Sequence, residues 1–465
     1  MARQPNIIVC LCDQMRAFEV GCYGNPVVRT PHIDELAGQS KRFELAVTNA
    51  PVCMPARSVL NCGQYSRTCT GTADNYRIRD EQGESLGPAQ YPFADRPHAK
   101  DTTLAEQLRS MGYSTAVIGK WHIHSTPADL GFEYSLIPKV YHRNSDQTFM
   151  ENEGSPFVVK GFAPAWEAHR VKQFLQEHNK IGQPFFLYYN ISPPHMPLAD
   201  SPAKYQQMYH PQQIPLRPNV YQDGKLPFDA EWARIYLWDF LYYRKQLPHT
   251  LTLPQGFDLS HLLALYYGMC TWVDDLVGQL MKSLSEAGLA SDTIVLFTSD
   301  HGDNLGSHGY WNKSRLIEES IRIPLMVRWP GNIKAGVNSA QVASLIDIMP
   351  TLLDLVGGQA PPSVQGRSLT PLLRGECQTL ANNFAVIEAN LDGIGIRTPT
   401  HLYGVDLDQG NRQILDGHDL FFDLTQDPYE LVNLAEHSQQ LELGRQLRRQ
   451  LQAWHDQTPW LDAKQ

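Results

Sequence analysis

Residues 292–304 read "DTIVLFTSDHGDN". An apolar, β-rich run that stops on Asp300 and His301 is the pattern of a buried strand delivering polar side chains at its carboxyl end. Ahead of it, residues 259–288 carry a long period of apolar residues that closes on Gly288, as an amphipathic helix does. The same unit recurs along the chain. "NIIVCLC" (6–12) is a strand leading to Asp13, and "TPHIDELAGQ" (30–39) is a helix with Thr30 as cap and Pro31 at its first position. "DTTLAEQLRSMG" (101–112) is a helix capped by Asp101 and stopped by Gly112; the strand "STAVIG" (114–119) and then "KWHIH" follow it. The helix at 165–178 leads to the strand "PFFLYYNIS" (184–192), which ends on "PPHMP". Helices alternating with apolar strands predict an α/β fold, a large mixed, mostly parallel sheet sandwiched by helices.

After Leu373 the pattern changes. Short strands at 384–390, 401–407, 412–416 and 419–424, then a polar helix at 440–455, predict a small C-terminal antiparallel-sheet subdomain. The chain therefore divides into residues 1–373 and 374–465. The stretches from Ile123 to Phe185 and from Ala199 to Phe257, apart from the helix already named, read as insertions.

In open sheets of this kind ligands gather beyond the carboxyl ends of the strands. Four such ends carry Asp13, Lys120 with His122, His195, and Asp300 with His301. Either aspartate alone reads as a helix or turn cap. Together with Gln14 and His301 they make an oxygen-rich set with one imidazole, suited to Ca²⁺, Mg²⁺ or Mn²⁺. Lys120, His122, His195 and Lys313, gathered at one edge, would hold an anionic group and supply a proton donor for a leaving group. Arg57 would lend a fixed fork of donors to the same pocket.

Composition narrows the classes. With 42% hydrophobic and 19% charged residues, the 465-residue chain can bury a sizeable core. A net charge of -10 without a dense basic stripe argues against nucleic acid as a partner. Eight cysteines without framework spacing predict reduced thiols. No apolar stretch reaches the roughly 20 residues that span a bilayer. The expectation is a soluble, cytoplasmic protein, or a periplasmic or secreted one if the sequence is a processed form.

Cys53 fits none of this directly. It stands in "PVCMPARSVLNCGQ" (51–64), at the start of a predicted helix. A soft thiolate is a poor partner for a hard metal, and as an unassisted nucleophile it would leave a stable sulfur adduct. A cysteine hydrolase stays open, because helix N-termini lower thiol pKa values and bind anions.

The motif Cys-x-Pro-x-Arg, here Cys53 to Arg57, resembles that of the sulfatases of the alkaline phosphatase superfamily. "PNIIVCLCDQMR", "GKWHIH", "SPPHMP", "FTSDHGDNLGSHGYWNKS" and "LFFDLTQDPYELVNLA" are similar to further family segments, so the likeness spans nearly the whole chain. It implies an alkaline phosphatase-like fold and a cysteine oxidised to formylglycine (3-oxoalanine) by a formylglycine-generating enzyme. It implies Asp13, Gln14, Asp300, His301 and the modified residue 53 as ligands of one divalent metal ion, Ca²⁺ or Mn²⁺. Arg57 and Lys120 would hold the hydrate, and His122 would act as its base. Lys120, His195 and Lys313 would bind the sulfate, with His195 and Lys313 protonating the leaving alcohol. The implied reaction is attack of a hydrate oxygen on sulfur, followed by elimination of sulfate.

Gln14 and His301 also resemble the branch containing choline sulfatases and phosphonate monoester hydrolases, which makes phosphonate or phosphodiester cleavage the alternative. A non-catalytic anion-binding protein would not need the proton-transfer set. The aromatic stretch "EWARIYLWDFLYYRK" (231–245) reads as a substrate clamp or as an amphipathic core helix that could also form a subunit contact in a homo-oligomer. His142, Arg143 and Trp311 are expected near the pocket mouth.

Overall fold

The computed structural model describes residues 4–75, 77–79, 85–88, 103–123, 125–139, 142–221, 223–226, 228–238, 252–390, 392–408, 412–436 and 441–461. The opening run forms the strand Thr293–Ser299, buried along its length, within a ten-stranded sheet. Across that sheet lie Gly336–Ser344, Lys41–Val47, Leu325–Arg328, Thr293–Ser299, Asn6–Asp13, Phe185–Pro194, Ser114–Gly119, Tyr134–Pro138, Ser145–Glu151 and Phe157–Phe162. From Thr293–Ser299 to Tyr134–Pro138 every pairing is parallel. Antiparallel pairings begin on either side, at Leu325–Arg328 and Ser145–Glu151.

The two-residue period of a strand explains the layers. From Asn6–Asp13, Ile8, Cys10 and Cys12 join one apolar layer with the helices Pro31–Gly38, Ala163–Ile181 and Leu259–Glu286. Ile7, Val9 and Leu11 join the other, with the helices Cys53–Cys62, Leu104–Ser110 and Ile348–Leu355. Covered on both faces, the central strands can be apolar without interruption. Among the described residues no helix is long and apolar enough to cross a membrane.

Three local expectations change. The helix Leu104–Ser110 starts from Thr103, whose hydroxyl accepts from the Glu106 amide in a reciprocal capping box; Asp101, the expected cap, lies outside the described residues. Much of the stretch after Ile123 is sheet, not insertion. Tyr134–Pro138, Ser145–Glu151 and Phe157–Phe162 extend the main sheet; Ser145–Glu151, next to the edge, buries only Gln147 and Phe149, and the edge strand Phe157–Phe162 only Val159, too few for a clear alternation. The residues "RQILD" contribute one bridge, Leu407 to Ile414, while "GIGIR" supplies the strand Gly393–Arg397.

That strand belongs to the four-stranded antiparallel sheet Ala385–Ala389, Gly393–Arg397, His401–Val405 and Leu420–Asp423. The helix Leu441–Gln457 covers one face through Leu447 and Leu451. Leu316, Ile321 and Val342 pack on the other.

The helix Ala163–Ile181 buries a carboxyl group, Glu167, with 1% exposure, and its Oε2 has no hydrogen-bond partner. Burial pushes this carboxyl up to about 8 from an ordinary 4.5. The folded chain therefore keeps a proton that the unfolded chain releases, so this group's contribution to stability is full below pH 4.5 and declines as pH rises toward 8. Glu167→Gln is expected to remove that slope and to be the more stable protein at pH 7 by roughly 3 kcal/mol. Urea unfolding at pH 5 and pH 7.5 checks it; a difference between the two proteins that does not widen with pH contradicts it.

Candidate active site

Four adjacent parallel strands end at one edge, and each delivers polar groups there. The register sets Cys12 beside Ser299, Asp13 beside Pro194 and Gly119 beside Asn190. Asp13 thus lies next to Asp300 and His301, with His195 following its other neighbour and Lys120 and His122 one strand further on. Gly119 has φ +97, and a Cβ there would lie 2.0 Å from the Asn190 carbonyl oxygen. Only glycine lets the chain turn Lys120 inward at this point.

Cys53 is the first residue of the helix Cys53–Cys62, preceded by an extended Val52 without a side-chain cap. The positive end of the helix therefore falls at residue 53. The Sγ atom is 2.9 Å from Lys313 Nζ, 3.2 Å from His301 Nε2, 3.7 Å from Asp13 Oδ1 and 4.0 Å from Lys120 Nζ. All four neighbours are buried.

Arg57, one turn on and fully buried, faces the carboxylates and not the thiol. It reaches Asp13 Oδ2 at 2.9 Å and Asp300 Oδ2 at 2.9 Å, and donates to the Lys120 carbonyl at 2.9 Å and Asn190 Oδ1 at 3.3 Å. Lys120 Nζ adds a contact of 2.5 Å to Asp13 Oδ2. With both Oδ2 atoms held, the two Oδ1 atoms remain on the side of His301, whose Nε2 is 4.0 Å from Asp13 Oδ1 and 3.6 Å from Asp300 Oδ1.

Asp13, Cys53, Asp300 and His301 each bring a ligand atom to within 4.8 Å of the others. His301 Nδ1 is 2.8 Å from the Gly302 carbonyl. Donation there leaves Nε2 as the lone-pair nitrogen, the usual arrangement behind a metal-binding histidine. Two carboxylates and one imidazole suit a divalent cation. The Cys53 thiol is the one soft ligand in an otherwise hard set.

The sulfatase family model matches residues 5–358, and a model described as N-sulphoglucosamine sulphohydrolase, C-terminal, matches residues 306–457. The chain belongs to the sulfatase family. Its fold is that of the alkaline phosphatase superfamily, and it is a hydrolase whose site is capable of sulfate-ester hydrolysis with a bound divalent metal. It is 29% identical over 451 residues to an ulvan-active sulfatase of Formosa agariphila, covering 93% of this chain and 77% of that one. It is 27% identical to an N-acetylglucosamine-6-O-sulfatase of Bacteroides thetaiotaomicron, covering 82% and 73%. A solved protein held with its substrate D-glucosamine-2-N,6-O-disulfate superposes with a TM-score of 0.78 at 25% identity, covering 98% of each chain.

The electrostatics of this sulfatase site divide its groups. Burial and the Cys53 thiol press the Asp13 carboxyl upward, but Lys120, His195 and Arg57 overcome them and hold it below the usual carboxylate range. Burial, with Asp13 alongside, raises Asp300. Burial opposes ionisation of Cys53, yet Lys120, Lys313 and His301 hold the thiol well below its ordinary value. Burial lowers His122 and His195 to about 4, Lys120 adding to the effect in both, so both rings are neutral at pH 7.

Lys313 Nζ is also 3.1 Å from Gln14 Oε1, 3.3 Å from His195 Nε2 and 3.4 Å from His301 Nε2. His195 is steadied by the Met196 carbonyl, 2.6 Å from Nδ1. His142 reaches the pocket, its ring stacked on His195 at 4.4 Å. Trp311 packs near Tyr236 at 6.0 Å, and Arg143 is exposed. Gln14, His122, Asn312 and Ser314 have φ of 65, 51, 62 and 75, and such left-handed residues collect where function imposes strain.

A supporting web was not named from the sequence. Asp303 takes Gln14 Nε2 at 2.5 Å and the Tyr236 hydroxyl at 2.5 Å, and that hydroxyl accepts from the Asn312 amide at 2.7 Å. Tyr236 lies on the helix Ala230–Trp238, which buries Ala233, Ile235 and Leu237 as well. The described half of the aromatic stretch is thus a core helix that props the site; residues 239–245 of it lie outside the described residues.

Proposed function

We propose that this sulfatase removes sulfate from a small sulfated carbohydrate, using formylglycine formed from Cys53. The observation that carries the reading is the convergence of Lys313, His301, Asp13 and Lys120 on the buried side chain of residue 53, between 2.9 and 4.0 Å. Asp13, Asp300 and His301, with Gln14 Oε1 at the same edge, would hold a Ca²⁺ or Mn²⁺ ion that polarises the sulfate oxygens. Formylglycine would supply the attacking hydroxyl of its hydrate and, through the second hydroxyl, a route to release sulfate.

The side chains do the rest. Arg57 and Lys120 fix the ligand carboxylates, and Lys120 Nζ also faces residue 53. His122, neutral at pH 7, takes the proton of the second hydroxyl. Lys313 and His195, 3.3 Å apart, bind a sulfate oxygen; His195, neutral without substrate, gains its proton as the anionic ester binds beside it, and the pair supplies the proton of the leaving alcohol.

Two relatives with carbohydrate names and the solved disulfated glucosamine complex support a sugar as that alcohol. The seven cysteines other than Cys53 are free thiols and suit a reducing compartment, with a formylglycine-generating enzyme as the maturation partner.

The test is the mass of the tryptic peptide "FELAVTNAPVCMPAR" (43–57), together with turnover of a sulfated monosaccharide and an aryl phosphonate ester. Exchange of sulfur and two hydrogens for oxygen, with the sulfate ester preferred, is expected. A plain thiol in active protein overturns the nucleophile, and preference for the phosphonate overturns the substrate.

A further inference from the structure

A second group of potential ligands lies apart from the catalytic four. His308, Glu319 and Glu430 each bring a ligand atom to within 4.8 Å of the others. Glu319 is 0% and Glu430 2% exposed, and His308 is half-buried with φ 53. Glu319 Oε2 and Glu430 Oε1 have no hydrogen-bond partner, and neither has Oδ1 of Asn219, itself 2% exposed. Buried oxygens left without donors ask for a ligand.

The charges ask for the same thing. Glu319 Oε1 is met by Arg217 at 2.5 Å and by Asn219 Nδ2 at 2.8 Å. Glu318, its neighbour, is met by Arg397 at 2.8 Å. Glu430 receives only the Glu318 amide, at 3.0 Å, and no ion pair among the described residues. A carboxylate buried beside two others without a counter-charge is untenable, so a proton or a cation must accompany it.

We propose that His308, Glu319, Glu430 and Asn219 bind a second divalent cation. One imidazole with carboxylate and amide oxygens favours Mn²⁺ or Zn²⁺ over Ca²⁺. Asn219 Nδ2 is 3.2 Å from His308 Nε2 and 2.8 Å from Glu319 Oε1. The ion replaces that N–H as their shared partner, and rotation of the amide turns its unpartnered oxygen to the same point. The carbonyl of Glu319 accepts from the Asp303 amide at 2.9 Å, and Glu430 lies in the segment that follows the small sheet. The cation therefore ties that segment to the loop behind the active site.

The test is a titration of the chelator-treated chain with Mn²⁺, counting free ion by electron paramagnetic resonance, with a parallel Zn²⁺ titration read by elemental analysis. The parent is expected to bind two ions per chain, Asp300→Asn one, His308→Ala one and the double variant none. Melting of Asp300→Asn is expected to rise with added ion, and the rise to vanish in the double variant. If Asp300→Asn fails to fold, the fall from two ions to one between parent and His308→Ala carries the same information. Parent and His308→Ala binding equal numbers of Mn²⁺ and of Zn²⁺ would overturn the proposal and assign the Glu319–Glu430 pair to a shared proton.

Discussion

Arg57→Ala is expected to destabilise the chain by about 3–5 kcal/mol in the absence of divalent ions, the range found when one partner of a buried ion pair is removed. The side chain is fully buried, and its fork is the counter-charge common to Asp13 and Asp300. Without it Asp13 keeps Lys120 at 2.5 Å, but Asp300 is left with backbone amides and the His301 ring. A divalent ion bound between the same two carboxylates would restore the missing charge, so much of the loss should return when Mn²⁺ or Ca²⁺ is added. Arg57→Lys keeps the charge but cannot span both carboxylates and two carbonyl oxygens with one ammonium group, and should fall between parent and Ala. Urea unfolding of the three proteins with and without metal checks this. A loss below 1 kcal/mol, or one that metal leaves untouched, would mean that Arg57 does not balance the ligand carboxylates.

What was legible in the sequence follows from where the information sits. Apolar runs such as Thr293–Ser299 and Phe185–Pro194 are covered on both faces, so composition marks them, and the polar residue that ends each run marks the active edge. Asp13, Lys120, His122, His195, Asp300 and His301 all stand at or just past such ends. The strands Ser145–Glu151 and Phe157–Phe162 leave little trace in the sequence because they lie at or next to the sheet edge and bury few of their side chains, while Tyr134–Pro138, buried from Ser135 on, is only five residues long. The Gln14–Asp303–Tyr236 web was invisible for another reason. Its members are separated by 289 and 67 positions, and a hydrogen bond across such a span leaves no local pattern. The Cys-x-Pro-x-Arg spacing brings Arg57 to the pocket, but nothing local in the sequence says that its donors meet Asp13 and Asp300. Cys53 was legible as chemistry only through resemblance, since a thiol among hard ligands contradicts the metal it faces.

Lys313→Met is expected to separate stability from turnover. Nζ is buried, and its neighbours are Cys53 Sγ, Gln14 Oε1 and the imidazoles of His195 and His301. Among the described residues it forms no ion pair with a carboxylate within 4.0 Å, unlike Arg57 and Lys120, so replacing it leaves no carboxylate uncompensated. Met fills the same space without the desolvated charge, and the melting temperature should hold or rise, as it does when a group kept for function is removed from a core. Turnover should fall about 10³-fold, the scale of losing one donor to charge that develops in the transition state. The leaving group separates the two parts of the proposed role. A sugar alkoxide needs a proton as the S–O bond breaks, whereas nitrophenolate does not, so a sugar sulfate should suffer more than nitrophenyl sulfate in the same variant. Equal losses on both would leave Lys313 as a charge clamp and pass proton donation to His195. A loss below about tenfold on both would remove Lys313 from the reaction, because a transition-state donor cannot be deleted so cheaply.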